Sequence, residues 1–304
     1  METPVIAIKV DVDTYSGTRD GVPRLLEIFD SLEIKATFYF SMGPDNSGKA
    51  IRRIFTRKGF LKKMIRTKAP SMYGLRTLLY GTILPAPQIA ASFPEILRSA
   101  SDKGHEVGIH CWDHVYWHDY LSEMSIDKVR GELDKAGRHF LDLFRCRAET
   151  TAAPGWTVSP ASLRVQDSLA LRYCSDSRGT SPFYPVVEGQ RYSTLQIPTT
   201  LPTMDELLGA DGISPGSIND HFLSLIQPGL NVHTIHAELE GGCLAAVFTD
   251  LLQRLQNVNA RFITLSQAAE EAIHNSLPDC CLAMKEIPGR AGLVAVQGAL
   301  GRMR

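Results

Sequence analysis

Short apolar runs alternate with amphipathic helical patterns along most of this chain, and that alternation restricts the fold more than any other feature. The first run, VIAIKVDVD at 5–13, predicts a strand, and GVPRLLEIFDSLEI at 21–34 predicts a helix with proline in its first turn. ATFYFSM at 36–42 and HEVGIH at 105–110 predict further strands. Alternation of this kind favours a mainly parallel α/β sheet or barrel.

Composition narrows the choice of class and compartment. The 304 residues suit one barrel-type α/β domain with insertions as well as two smaller domains. A net charge of −1 argues against a polyanion binder, so we expect no nucleic-acid partner. The six cysteines form no C-x-x-C pair, and the first residues show no signal-peptide pattern. No run is long enough to span a bilayer, and we expect a soluble or peripheral protein of the cytoplasm.

One segment breaks the charge balance. Between Asn46 and Pro94 the chain carries ten lysine and arginine residues and no acidic one. Its apolar residues recur roughly at the spacing of a helix face. A basic amphipathic stretch suits an anionic membrane surface or a lipid phosphate, although a solvated helix packed on the domain fits as well. We predict that residues 43–92 form a basic amphipathic insertion, which either faces a membrane or packs on the domain.

The stretch GPDNSGKA at 43–50 matches the phosphate-binding pattern G-x-x-x-x-G-K between a strand and a helix. The residue after the lysine is Ala50, which has no hydroxyl for Mg²⁺, and no later strand offers a convincing aspartate for that ion. We therefore expect a glycine turn here and no bound nucleotide.

Two groups of residues are candidate metal ligands. Asp11 and Asp13 end the first strand pattern, and residues two apart on a strand point to the same face. The carboxyl ends of strands are where active sites of α/β folds are built. The second group lies in GIHCWDHVYWHD, where three histidines follow one another at steps of four, close to one helical turn: His110, His114 and His118.

A third group lies in NVHTIHAELEGG, which begins at Asn231 and ends another strand pattern. His233 and His236 are three residues apart, so on a strand they face opposite sides and only one can enter a common pocket. His236 stands at the strand end and is the preferred candidate, whereas we expect His233 to be packed or solvated.

These motifs, in this order, resemble the metal-dependent polysaccharide deacetylase superfamily, also called the NodB-homology fold. The resemblance extends over residues 5–270. It implies a distorted (β/α) barrel with one divalent metal ion, either Zn, Mn, Co or Fe. It also implies a role for each candidate: Asp11 as the base, His236 as the acid, and Asp13, His110 and His114 as metal ligands. We expect His118 to stay outside the metal site.

More narrowly, the stretch from Val10 to Phe55 and HTIHAELEGG from His233 resemble the deformylases of 4-deoxy-4-formamido-L-arabinose phosphoundecaprenol. This implies removal of an N-formyl group in lipid A modification, which gives resistance to polymyxin and cationic antimicrobial peptides. It further implies an undecaprenyl-phosphate-linked formamido sugar as the partner. The place of action would be the cytoplasmic face of the inner membrane, where the basic insertion would dock.

Two departures and one uncertain motif accompany the resemblance. A valine separates the aspartates of the first motif, which are adjacent in many members. The third motif, AAPGW at 152–156, has no arginine, and Arg147 lies too far upstream to replace it. The fourth motif corresponds to YCSDSRG at 173–179, in which we expect Asp176 to orient His236.

Domain limits follow from composition. We predict a single barrel domain over 1–282 and a loose tail at 283–304, because the last residues are rich in glycine and alanine with little periodicity.

Three alternatives remain open at this stage. A non-haem Fe(II) oxygenase also uses two histidines and one carboxylate, although usually on antiparallel β folds. A membrane-surface module with a closed structural metal site would recruit a fourth ligand such as Cys111 or His118. A deacetylase of another N-acylated sugar would keep the chemistry and change the substrate.

Overall fold

The structure is a computed structural model that describes residues 3–52, 76–210 and 212–300. The strands are β1 Pro4–Val12, β2 Thr37–Ser41, β3 Glu106–Cys111, β4 Thr150–Thr151, β5 Tyr173–Cys174, β6 Tyr184–Val187, β7 Gln190–Arg191, β8 Leu195–Gln196, β9 Gly229–His236, β10 Arg261–Ile263, β11 Asp279–Glu286 and β12 Leu293–Gly298. The α-helices are α1 Val22–Ser31, α2 Ile89–Ser92, α3 Pro94–Asp102, α4 His114–Tyr120, α5 Ile126–Phe144, α6 Pro160–Ser168, α7 Met204–Leu207, α8 Ile218–Leu225, α9 Ala245–Asn257 and α10 Leu265–Ile273.

Eight of these strands form one parallel sheet that curls into an incomplete barrel. Its order is β10–β1–β2–β3–β4–β5–β8, and β9 also pairs with β1. β9 runs along Pro4–Asp11, while β10 pairs with Val5–Ala7 and β2 with Lys9–Val12. After β8, the N–H groups of Thr200 and Leu201 both donate to a carbonyl oxygen of β9 at 3.1 Å, which links the sheet back toward its first strand. The predicted distorted (β/α) barrel is confirmed.

The central strand β1 is covered on both faces, as expected for a parallel strand between helices and a barrel interior. One face packs against α1, whose buried residues include Leu25 and Phe29. The other face contributes Ala7 to a smaller cluster with Tyr39 and Tyr173. β1 therefore places the aspartates at the end of a strand that is buried on both faces.

The predicted loose tail is wrong for the described residues up to 300. β11 pairs with β12 in an antiparallel hairpin and with β6 in parallel, and β6 pairs with β7. Leu282 and Ala295 are buried against Phe183 and Tyr192. The predicted boundary at 282 thus falls inside a strand. Composition could not reveal this, because the strand that pairs with β11 lies almost a hundred residues earlier in the chain.

The described ends of the predicted insertion lie side by side directly after β2. The N–H of Asp45 donates to the Pro87 carbonyl and that of Gly48 to the Tyr80 carbonyl, each at 2.9 Å. Residues 53–75, which carry most of the predicted amphipathic pattern, lie outside the described residues. Within the described part of the chain, no helix has the length and apolar character to cross a membrane.

Candidate metal centre and active site

The two aspartates of the first motif lie at the carboxyl end of β1, where Glu238 holds the backbone. Its Oε1 accepts hydrogen bonds from the N–H of Asp13 at 3.0 Å and from the N–H and hydroxyl of Thr14 at 2.7 Å each. Burial, followed by the charge of Asp13, raises the pKa of Glu238 to about 8. Sequence analysis missed this residue, whose one signal is an acidic side chain just beyond the end of a strand.

The histidines of the second motif come from two different elements. His110 lies in β3, and His114 is the first residue of α4, so they do not share a helix as their spacing had suggested. The turn between them is held by Asp113, which caps the helix by accepting from the Tyr116 N–H at 3.0 Å. The Asn46 amide donates to the other oxygen of Asp113 at 2.6 Å.

These elements bring three candidate ligands together around Asp13. His110 Nε2 lies 3.1 Å from Asp13 Oδ1, and His114 Nε2 lies 3.4 Å from Asp13 Oδ2. One donor atom of each residue falls within 4.8 Å of the other two. Burial acts to raise the pKa of Asp13, but His114 and His110 outweigh it and lower that pKa well below its usual range. Two imidazoles and a carboxylate fit a divalent transition metal.

His118 lies outside this cluster. Its Nδ1 is 3.3 Å from Asp119 Oδ1, and its ring packs against Gly155 of the third motif. Gly155 has φ +57°, and a Cβ there would come within 2.2 Å of the His118 ring. The position requires glycine both for its backbone conformation and for this contact.

His236 lies directly opposite Asp11 in the pairing of β9 with β1. Its side chain is largely buried, and its backbone N–H donates to Glu240 Oε2 at 2.8 Å. His233 points away from this site and packs against Phe222, with ring centroids 4.7 Å apart. Burial lowers the pKa of His233 to about 3, which favours the neutral form of this packed histidine.

Asp176 lies behind the third motif. Among the described residues it makes no hydrogen bond to His236, the residue that it was expected to orient. Its oxygens accept from the Ala153 N–H at 2.7 Å and from the amides of Gln166 at 2.8 Å and Gln196 at 3.2 Å. Burial raises its pKa, against those amide hydrogen bonds and the nearby charge of Lys9. Asp176 is therefore positioned to support the third motif.

The turn GPDNSGKA has a structural explanation in the described residues 43–50. Asp45 accepts hydrogen bonds from the Tyr15 N–H at 2.8 Å and from the Ser47 N–H at 3.0 Å. Together with the contact from Asn46 to the cap of α4, these bonds tie the turn to both metal-ligand motifs. The expectation of a glycine turn agrees with this geometry.

Comparison with known proteins adds independent information. The family model for polysaccharide deacetylase matches residues 1–174. The chain belongs to the polysaccharide deacetylase family. A Shewanella sediminis protein named probable 4-deoxy-4-formamido-L-arabinose-phosphoundecaprenol deformylase is 40% identical over 296 residues, covering 97% of this chain and 95% of the relative. A Wigglesworthia glossinidia brevipalpis protein of the same name is 35% identical over 284 residues, covering 92% of this chain and 98% of the relative.

Solved structures agree on the polysaccharide deacetylase fold. A Mycobacterium smegmatis protein classed as a polysaccharide deacetylase superposes with a TM-score of 0.64 at 18% identity, covering 94% of this chain and 96% of that one. At this identity the likeness concerns the fold alone. The parallel barrel and the family membership do not favour the oxygenase alternative.

The third motif, AAPGW at 152–156, contains no arginine. Trp156 occupies its end, is almost fully buried, and donates from Nε1 to Thr199 Oγ1 at 3.0 Å. The cation beside Asp11 comes from the first motif instead: Lys9 Nζ lies 3.1 Å from Asp11 Oδ2. Sequence analysis missed Lys9, although a single lysine inside an apolar strand is a recognisable signal.

Burial raises the pKa of Glu240 from 4.5 to about 8, and this predicts a measurable pH dependence. Between those values the folded protein holds a proton that the unfolded chain has lost, so the stability present below pH 4.5 declines as pH approaches 8. Glu240→Gln removes this decline. The free energy of unfolding of the variant minus that of the wild type should increase by about 2 kcal/mol between pH 6 and pH 8. Urea denaturation at the two pH values measures this difference. A constant difference over that range would show that Glu240 is ionised when folded.

Proposed function

We propose that this chain is a metal-dependent deformylase of 4-deoxy-4-formamido-L-arabinose phosphoundecaprenol. The products are formate and 4-amino-4-deoxy-L-arabinose phosphoundecaprenol, in lipid A modification. One observation carries the proposal: Asp11 and His236 lie opposite each other on neighbouring strands, beside the cluster of Asp13, His110 and His114. The two relatives with this named activity match nearly the whole chain.

Asp13, His110 and His114 would hold the divalent ion. When bound, such an ion polarises a carbonyl group and lowers the pKa of water. The donor set suits Zn, Mn, Co or Fe.

Asp11 acts as the general base. Its Oδ2 faces Lys9, while its Oδ1 is buried and lies 3.9 Å from His110 Nδ1. Oδ1 accepts no hydrogen bond from any residue that the structure describes. Oδ1 is therefore available to take the proton of the attacking water, whose oxygen bonds to the formyl carbon.

His236 acts as the general acid. It donates a proton to the sugar nitrogen as the C–N bond breaks, so that a neutral amine leaves with formate as the second product. Asp176 serves by holding the third motif next to the site.

Formate release from the synthetic formamido-arabinose lipid tests this function. Purified protein reconstituted with Co²⁺, Mn²⁺ or Zn²⁺ should release one formate per lipid, and the same sugar carrying an N-acetyl group should react far more slowly. Hydrolysis of the acetyl compound alone would assign the chain to another N-acylated sugar. Tight metal binding without any hydrolysis would point to the membrane-surface module.

The lipid substrate requires access to a membrane, and the basic insertion at 43–92 suits that task. The insertion leaves and rejoins the fold next to Asp113, the cap of the helix that carries His114. Ile83, near its described end, is 78% exposed and suits the boundary between headgroups and acyl chains. The protein would then act at the cytoplasmic face of the inner membrane, bound peripherally.

Co-sedimentation with lipid vesicles tests this docking. A Lys62→Glu, Lys63→Glu variant should bind vesicles containing phosphatidylglycerol about tenfold or more weakly, because each lysine near an anionic surface contributes about 1 kcal/mol. The matched control, Lys128→Glu with Arg138→Glu, changes two exposed cations of α5 and should bind as the wild type does. Equal weakening in both variants would indicate a general charge effect instead of a docking segment.

A further inference from the structure

Lys9 is an unusual residue for the middle of β1. Its side chain is fully buried, and the residues before and after it in the strand, Ile8 and Val10, are apolar. Transfer of an isolated ammonium group into a protein interior is so unfavourable that buried lysines are found paired or neutral. The spacing of two residues places Lys9 and Asp11 on the same face of the strand. Among the described residues, Asp11 provides the one carboxylate within 4.0 Å of Lys9 Nζ.

Two aromatic rings direct the ammonium group toward that carboxylate. Lys9 Nζ lies 5.7 Å from the ring centroid of Tyr39 and 5.4 Å from that of Trp156. Both rings are almost fully buried, and a cation near the face of a desolvated ring is stabilised. Tyr39 is fixed by a hydrogen bond of 2.9 Å to Thr150 Oγ1.

Trp156 is fixed as firmly as Tyr39. Its Nε1 bonds to Thr199, and two guanidinium groups also lie over its ring, Arg178 at 4.9 Å and Arg290 at 4.5 Å. Arg178 is itself held by Glu206 at 2.7 Å. Arg290 lies in the turn of the β11–β12 hairpin, so a C-terminal residue also contacts the Trp156 ring.

The contact divides the two oxygens of Asp11 between different tasks. Oδ2 forms an ion pair with Lys9 Nζ at 3.1 Å, and Oδ1 faces His110. Among the described residues, neither Lys9 Nζ nor Asp11 Oδ1 has a hydrogen-bond partner. A carboxylate held at one oxygen keeps the other at a set distance from the candidate metal ligands. This arrangement gives the base its orientation without an arginine in the third motif.

We infer that Lys9 is the positioning residue for Asp11 and provides, from β1, the cation that the third motif lacks. Trp156 of that motif contributes the ring that restrains Lys9. The inference rests on the proposed function, because it assigns Asp11 the part of general base.

Steady-state kinetics of Lys9→Met, with the formamido-arabinose lipid and saturating Co²⁺, tests this role. Methionine has a similar length and no charge. We expect kcat to fall about 10²-fold while KM and the Co²⁺ affinity stay within about threefold of the wild type. The matched control is Arg261→Met, which removes an exposed cation paired with Glu271 on β10, next to β1, and touches neither Asp11 nor Trp156. It should keep kcat within about threefold. A Lys9→Met kcat within that range, or an equal loss in both variants, would overturn the inference.

Thermal unfolding tests the pairing without any substrate. At one fixed Co²⁺ concentration, Lys9→Met should lower the Tm by about 8 °C, because it leaves Asp11 buried without its partner. In the Asp11→Asn background the same change should raise the Tm, since it then removes an unpaired buried cation. An equal loss in both backgrounds would contradict the pairing.

The design separates the two ways in which the idea can fail. If Lys9→Met does not fold, a folded Lys9→Met, Asp11→Asn variant supports the pairing and an unfolded one overturns it. If the wild-type protein releases no formate, the proposed function fails, and the unfolding comparison still decides whether Lys9 and Asp11 act as a pair.

Discussion

An Asp11→Asn variant is expected to bind Co²⁺ like the wild type and to release formate about 10²–10⁴-fold more slowly. Asparagine keeps the shape of the side chain but cannot accept a proton from water near neutral pH. Oδ1 of Asp11 is buried and accepts no hydrogen bond from the described part of the chain, so replacing the carboxylate by an amide would leave the attacking water with no base at that position. Single-turnover formate release and a parallel Co²⁺ titration measure the two effects separately.

A matched control is Asp20→Asn. It changes an exposed aspartate that lies after the first motif and pairs with its neighbour Arg19. It should leave both rate and metal affinity unchanged, because exposed ion pairs contribute little. The assays need a temperature well below the Tm of Asp11→Asn, since that variant leaves Lys9 without its partner. If Asp11→Asn retained more than about a tenth of the wild-type rate with metal bound, general base catalysis would belong to another residue.

Replacing His114 is expected to remove the metal and, with it, the activity. His114→Ala deletes one of three donors, and we expect Co²⁺ affinity to fall by more than about 100-fold, beyond the loss typical of residues that merely orient a ligand. Formate release at limiting Co²⁺ should then be undetectable. Isothermal titration calorimetry and the visible absorption of bound Co²⁺ provide measurements that do not depend on activity.

His118→Ala is the matched control, because it removes an imidazole from the same helix one turn further along. His118 packs against Gly155, outside the cluster of candidate ligands, so its removal should preserve Co²⁺ affinity and cost only packing. The proposed ligand set would be wrong if His118→Ala lost the metal as fully as His114→Ala. That result would favour a closed structural site.

Local patterns were sufficient for much of the fold and of the candidate site. Strand–helix alternation indicated a parallel barrel, because parallel strands need a crossover between them and each crossover leaves an amphipathic pattern. The period of two placed Asp11 and Asp13 together at a strand end. The same period separated His233 from His236. His233 packs against Phe222, whereas His236 is paired with Asp11 on the neighbouring strand.

Spacing was misleading where a motif crosses from one element into another. His110 and His114 are four apart, but they meet because β3 ends and α4 begins between them. The cap on Asp113 and its bond to Asn46 determine that turn, and Asn46 lies 67 positions away along the chain. A contact at such separation leaves no periodic trace in either stretch.

By itself, the sequence determined the family, the strand–helix alternation of the barrel, and which side chains could serve as base, acid and metal ligands. Tertiary structure decided how those side chains are held. Lys9 finds Asp11 within its own strand, but the rings of Tyr39 and Trp156 that restrain it come from elsewhere in the chain. The C-terminal residues form strands that pair with each other and with β6, which lies almost a hundred residues earlier. Local periodicity reports which face of an element is buried, whereas the partner that buries it is chosen by contacts between distant residues.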